Sequence, residues 1–212
     1  MERPGIVVIG AGGHAKVCIE TLRDQGLYEP RACVDGHSAE TEVLGVAIAG
    51  GDDVLPGLLA EGLRHAFVAI GNNAVRERVG AKLRALGFEL PSAIHPSALV
   101  SPTSRIGEGV LVMPRSVVNA QARIDDLAII NTGAIVEHDC IVGHAAHIAP
   151  GSVLTGNVHV GARSFLGAGT VARPGTRIAE DVVAGSGAVI VSDIAAGLVV
   201  VGVPARALSD KP

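Results

Sequence analysis

Aromatic residues are nearly missing from this chain of 212 residues, which has no tryptophan, one tyrosine and three phenylalanines, 2% in all against 48% hydrophobic residues. Such a composition fits a narrow interior filled by Val, Ile and Ala, where rings would find no room. Cationic excess is missing too. Seventeen Lys and Arg stand against 21 Asp and Glu for a net charge of −4, so there is no basic footprint for nucleic acid. No apolar run is long enough to cross a membrane and no basic, apolar, small-residue leader is seen, so a soluble, cytoplasmic protein is expected. The three cysteines, Cys18, Cys33 and Cys140, are odd in number and lack metal-ligand spacing, which suits a reducing compartment.

What is present is a period. From Ile94 to Ile190 every sixth residue is aliphatic, and fifteen of the seventeen members of that series are Ile, Leu or Val. Two residues before each lies a second series, Ser92 to Ala188, made only of Ser, Ala, Val, Thr or Cys. On an extended segment, positions two apart share a face, so each hexapeptide is a short strand with one small and one branched side chain inside. This is the hexapeptide signature of a left-handed parallel β-helix, in which three six-residue sides make one coil and residue i stacks on residue i+18. Between five and six coils are expected. Gly107, Gly143, Gly161, Gly167 and Gly185 fall beside the branched series and are read as corner glycines needed for φ > 0. The prism's three flat outer faces favour oligomerisation.

The repeat occupies only the second half, so two domains are expected, residues 1–91 and 92–212. The first reads as a short α/β unit, a Rossmann-like half with parallel βαβ connections. Strand-like Ile6 to Ile9 runs into Gly10-Ala11-Gly12-Gly13-His14-Ala15 and a helix to about Asp24. A second strand, Arg31 to Val34, ends at Asp35; a third, Ala66 to Ile70, ends at Gly71-Asn72-Asn73 and feeds a helix to about Leu86. Ligands of such sheets bind beyond the carboxyl ends of the strands, so Gly12, Gly13, His14, Asp35, Asn72 and Asn73 should converge on one crevice. Gly10, Gly12 and Asp35 also match the spacing of a dinucleotide fingerprint. Ninety residues, however, supply one mononucleotide-binding half and not two, so part of a nucleotide or its sugar is the better fit.

Chemistry stands out from the repeat at Asn131 to Cys140 and Gly143 to His147, where His138, His144 and His147 lie among Glu137 and Asp139. His138 occupies a corner, and a carboxylate beside it can hold the imidazole in one tautomer as a base. A zinc site of stacked histidines is not expected. The positions 18 and 36 residues after His138 are Gly156 and Pro174, and those after His144 are Ala162 and Glu180. His138 and His147 are nine residues apart, one and a half sides of the triangle, so a site using both must lie between two subunits. Gly156, one coil along from His138, could present a backbone N–H to a bound acyl group. His37, His65, His95, His144 and His159 read as surface or loop residues, and Cys140 as a small buried one.

Taken together, Gly10 to His14, Ala69 to Asn73, Ile94 to Ala98, Ile130 to Thr132, Val136 to Cys140 and Val201 to Arg206 give the chain its likeness. It resembles the bacterial sugar acetyltransferases of the sialic-acid O-acetyltransferase type, especially those that N-acetylate nucleotide-linked 4-amino sugars. The resemblance implies transfer of acetyl from acetyl-CoA to a UDP- or GDP-linked 4-amino-4,6-dideoxy sugar, without metal, in a homotrimer serving polysaccharide or glycan biosynthesis. It implies that His138 is the general base and Asp139 its orienting acid. His147 would bond the thioester end of acetyl-CoA with Asn131 nearby, and Gly156, Gly185 and Ser186 would offer backbone groups to CoA. Pro204, Ala205 and Arg206 would border its adenine and 3′-phosphate, while His14 and Asp35 would contact the nucleotide sugar. Asp139 stands where some relatives have Glu, and Ser186 where glycine is common. An O-acetyltransferase for a sialic-acid-like sugar and a non-catalytic nucleotide-sugar-binding protein are the alternatives.

Overall fold

The computed structural model describes residues 3–208 and divides into two compact units, one ending at Pro96 and the other beginning at Ser97. In the first, β1 (Gly5–Ile9) leads to α1 (Gly13–Gln25) and β2 (Glu29–Val34). A small hairpin, β3 (Glu42–Val43) and β4 (Val46–Ala47), and the short α2 (Leu55–Ala60) follow. Then come β5 (His65–Val68) and α3 (Asn73–Leu86). The three main strands form a parallel sheet in the order β2-β1-β5, the arrangement the βαβ pattern predicts. Helix α1 packs because Ala15, Cys18, Ile19 and Leu22 recur at helical spacing and are fully buried. Both long helices stop at glycines in the left-handed region, Gly26 at φ 71° and Gly87 at φ 98°. The hairpin and α2 were not foreseen, since residues 36–64 carry neither a sustained period of two nor one of 3.6.

The second unit is a left-handed parallel β-helix of about six turns. Its two-residue strands stack at intervals of 18, as in Val117↔Ile135, Arg123↔Ile141 and Ile129↔His147. Three sides result. The first carries the strands from Leu99–Val100 to Val189–Ile190, the second those from Arg105–Ile106 to Arg177–Ile178, and the third includes Ile129–Ile130, His147–Ile148 and Phe165–Leu166. Every member of both sixth-residue series between Val110 and Ile190 is buried. Each branched side chain removed from water contributes about 1.5–3 kcal/mol. The small inward series tolerates hydroxyls because the corners supply acceptors: Ser116 donates to the Met113 carbonyl at 2.7 Å, Ser164 to Ala179 at 2.7 Å and Thr170 to Gly167 at 2.7 Å.

The corners correct one expectation. Left-handed residues recur every six positions, but three residues after the branched one: Gly133 (φ 65°), Asp139 (φ 61°), Ala145 (φ 51°), Gly151 (φ 66°) and Asn157 (φ 59°) are successive examples. Gly107, Gly143, Gly161, Gly167 and Gly185 do not share that conformation. They are glycines for lack of space. A Cβ on Gly161 would come within 2.4 Å of the Glu180 nitrogen, and one on Gly143 within 2.8 Å of that of Ala162. The next coil's backbone lies where a side chain would begin.

Candidate functional site

His138 stands on the corner between the first and second sides, two residues past the strand Ile135–Val136, with 61% of its side chain exposed. Its Nδ1 lies 2.9 Å from Oδ2 of Asp139. An ionised carboxylate only accepts, so Nδ1 carries the proton and Nε2 presents its lone pair. Asp139 reaches back because it occupies the left-handed position of the corner, a conformation Asp and Asn adopt more readily than other side chains. On its other flank the imidazole lies against Gly156, as a Cβ there would meet Cε1 and Nε2 at 2.6 Å. Gly156 is thus a floor for the ring. Cys140, two residues on, is buried and donates its thiol to the Thr155 carbonyl at 3.1 Å; burial raises its pKa, so it is no nucleophile.

His147 lies on the third side, across the prism from the corner of His138, as the nine-residue spacing requires. Although its strand position points outward it is 8% exposed, held edge-on to Phe165 with ring centroids 5.1 Å apart. Asn131 fixes its tautomer. The Asn131 Oδ1 accepts from the Thr132 N–H at 2.8 Å, so its NH2 faces Nε2 of His147 at 3.0 Å. Nε2 is therefore the acceptor and Nδ1 carries the hydrogen.

The residues expected along a long co-substrate sit nearer the end of the spool. Gly185 already donates its N–H to the Val200 carbonyl at 2.8 Å, whereas Ser186 is exposed. Pro204 is exposed, Ala205 is 5% exposed, and Arg206 pairs with Val201 in a closing antiparallel strand. Ala205 and Arg206 line a cavity of about 570 Å³ together with Val191, Leu198 and Val200.

In the first unit a cavity of about 810 Å³ opens at the strand ends, and of the six residues expected to converge there only Asp35 lines it; Gly12, Gly13, His14, Asn72 and Asn73 do not. Ile9 and Gly10 at the end of β1, Val34 and Asp35 at the end of β2, and Ile70 past β5 line it. Both Asp35 oxygens are engaged, one by the Ala11 N–H at 2.9 Å and one by the His37 N–H at 3.0 Å, which ties the glycine loop to the β2 end. Asn72 is the N-cap of α3, its Oδ1 accepting from the Val75 N–H at 3.0 Å, and Asn73 Oδ1 accepts from Arg76 at 2.9 Å. Gly12 and Gly13 differ from the corner glycines. Neither has a positive φ, and a Cβ on either would meet nothing within 4 Å. The fold leaves open space over them, which is what a loop approached by a ligand needs. His14, beside them, has its pKa lowered by burial and then by the charge of Arg76. Sequence reading missed Arg78 and Lys82, one turn apart on α3, and Asp52, all of which line the cavity, with Lys82 2.8 Å from Asp52. The four-residue spacing of Arg78 and Lys82, which puts both on one face of α3, was the available signal.

Among the described residues no cluster of three or more His, Cys, Asp or Glu is placed to hold a metal ion, and no helix is long and apolar enough to cross a membrane.

A hexapeptide β-helix that follows a small βαβ unit along the chain, with a carboxylate-held imidazole on a corner, defines the class of the β-helix acyltransferases. Residues 5–83 match the family model described as the PglD N-terminal domain. The whole chain is similar to PerB from Caulobacter crescentus, solved in complex with CoA and GDP-perosamine: 50% identity over 97% of each chain, TM-score 0.92. A structure of that perosamine N-acetyltransferase with one histidine replaced by asparagine, again holding CoA and GDP-perosamine, gives 0.94. The acetyltransferase domain of PglB from Neisseria gonorrhoeae is 40% identical over 97% of this chain and 100% of that one, with TM-score 0.93. A UDP-N-acetylbacillosamine N-acetyltransferase of Bacillus subtilis is 31% identical over 116 residues, so that the match spans 51% of this chain and about half of that protein, 50%. The chain belongs to the family of nucleotide-amino-sugar N-acetyltransferases.

Proposed function

We propose that the protein transfers the acetyl group of acetyl-CoA to the amino group of a nucleotide-linked 4-amino-4,6-dideoxy sugar. The observation that carries this reading is the exposed corner imidazole of His138, its Nε2 lone pair presented by the Asp139 hydrogen bond and its ring seated on Gly156. The sugar amine is protonated in water and attacks only as the free base. The ammonium first gives up one proton to solvent; as the neutral nitrogen attacks the thioester carbon, Nε2 of His138 takes a second proton from it. The tetrahedral oxyanion then collapses, the C–S bond breaks and the imidazolium returns that proton to the departing CoA thiolate, while the new amide keeps the acetyl group. Asp139 holds the ring and stabilises the imidazolium. His147, with Asn131, borders the thioester end of acetyl-CoA, and a backbone N–H such as that of Gly156 contributes to the oxyanion; one such donor is worth about 3–4 kcal/mol.

The nucleotide sugar occupies the cavity at the strand ends, with Gly12, Gly13 and His14 against it and Asp35, Asn72 and Asn73 shaping its loops. CoA runs along the spool past Ser186 and Gly185 to the cavity bordered by Ala205 and Arg206, beside Pro204. GDP is the favoured nucleotide, on the strength of the 50% identity to a protein solved with GDP-perosamine.

The working form is a homotrimer. The first side supports this: its outward row of Leu99, Val117, Ile135, Val153, Val171 and Val189 is aliphatic throughout, and Leu99 is 69% exposed. The corresponding row on the second side is Arg105, Arg123, Ile141, His159 and Arg177. An aliphatic face beside the His138 corner is suited to a second copy, whose third side would bring His147 to that corner. Acetyl-CoA as the donor and three free thiols suit the cytoplasm.

The test is CoA thiol release with GDP-, UDP- and dTDP-linked 4-amino sugars and, as a separate arm, a sialic-acid-like sugar. Turnover with a GDP-linked amine and none with hydroxyl acceptors is expected. Turnover only on a hydroxyl would make the protein an O-acetyltransferase, and binding without thiol release would remove the enzymatic reading.

A further inference from the structure

Arg76 heads the fully buried side chains among the described residues, with 1% of its surface exposed. Burying a guanidinium costs several kcal/mol even after the protein relaxes around it. The first turn of a helix is also the unfavourable end for a cation, because the macrodipole is positive there. Fold stability alone gives little reason to place it in the first turn of α3. Its fork reaches back over the turn that opens that helix: Nη1 donates to the carbonyls of Ile70 at 3.0 Å and Gly71 at 3.1 Å, and Nη2 to Oδ1 of Asn73 at 2.9 Å. All three acceptors are neutral. Ile70 and Gly71 lie between β5 and α3, Asn73 is the first residue of α3, and Ile70 is part of the cavity wall.

The guanidinium also lies near the other turn at the strand ends. Its charge lowers the pKa of His14 and acts on the thiol of Cys18, both on α1. Burial brings Arg76 itself down to about 10, still protonated at neutral pH. One planar group thus sits beneath the β5–α3 turn, tying three of its oxygens, within electrostatic reach of the glycine loop.

We infer that Arg76 is a positioning residue for the nucleotide portion of the substrate, holding the turn of Ile70, Gly71 and Asn73 in the shape the ligand meets without touching the ligand itself. The inference rests on the reading that this cavity holds the nucleotide sugar. The bidentate fork is the essential part, since an ammonium would supply the charge without spanning two carbonyls and an amide.

The experiment uses the full chain as wild type, Arg76→Met and Arg76→Lys. GDP and UDP binding are measured by calorimetry, and KM for nucleotide sugar and for acetyl-CoA by thiol release. Arg76→Met should raise the nucleotide Kd and the sugar KM by roughly tenfold or more, with the acetyl-CoA KM within about twofold. Arg76→Lys should recover less than half of that loss, and full recovery would overturn the role of the fork. Wild-type nucleotide affinity in a folded Arg76→Met protein overturns the inference. If Arg76→Met does not fold, Asn73→Ala removes one acceptor from the fork, and a roughly threefold rise confined to the sugar KM is expected; none overturns it. Failure of the wild-type protein to bind either nucleotide would instead sink the cavity assignment on which the inference stands.

Discussion

Two sets of glycines, one in each unit, do opposite work. In the spool, Gly107, Gly143, Gly161 and Gly167 are bare because the backbone of the next coil sits within 3 Å of where a Cβ would be. In the first unit, Gly12 and Gly13 are bare although nothing of the protein comes within 4 Å. Those four spool glycines are demanded by neighbours inside the fold, whereas Gly12 and Gly13 leave room for something outside it. The same contrast governs histidine. His138 breaks a repeat of small residues and is visible for that reason, whereas His14 lies in the first turn of helix α1, where there is no repeat to break.

The largest expected effect tests the visible histidine. His138→Ala should lower kcat by about 10²–10⁴ with both KM values within a few-fold, and turnover near wild type in a thiol-release assay would remove the base from the scheme. The glycine contrast is sharpened by one substitution made in both units. Gly161→Ala forces a side chain into backbone and should cost about 1–3 kcal/mol, seen as a lower thermal midpoint. Gly12→Ala should leave that midpoint unchanged while raising the KM for nucleotide sugar roughly tenfold, the signature of lost ligand contact. Equal effects of the two substitutions on stability would break the contrast. Gly156→Ala lies between these cases. The atoms nearest its Cβ belong to the exposed ring of His138, so the fold should survive and kcat should fall about tenfold as the imidazole swings off its floor.

The smallest effect concerns His14. Its folded-state pKa is lowered, so between that value and the ordinary 6.5 the unfolded chain binds more protons than the folded one. Stability is therefore present above 6.5 and lost as pH falls below it. His14→Gln should flatten this part of the thermal midpoint against pH, and an unchanged acid limb would place the loss elsewhere.

The spool was legible because repetition writes one constraint seventeen times, and a residue such as His138 then shows as a departure. The meaning of its glycines was not, since a period of six marks every corner position alike and does not say which one turns left-handed. In the first unit the strand-end residues could be named from the βαβ pattern, but their bonds could not. Asp35 is occupied by the N–H groups of Ala11 and His37, and Asn72 by that of Val75, pairings that depend on loop paths between elements. Arg76, Arg78 and Lys82 were passed over because a cation on a helix reads as solvated until its burial or the wall it lines is known.

The most direct measurement is a mixing experiment on the corner that a second copy is proposed to complete. His138→Ala and His147→Gln proteins, each inactive alone, are unfolded, mixed in equal amounts and refolded together. In a trimer whose sites draw His138 from one subunit and His147 from the next, random assembly leaves about a quarter of the sites intact, and thiol release should return to about that fraction of wild type. No recovery from a folded, mixed assembly would contradict the account.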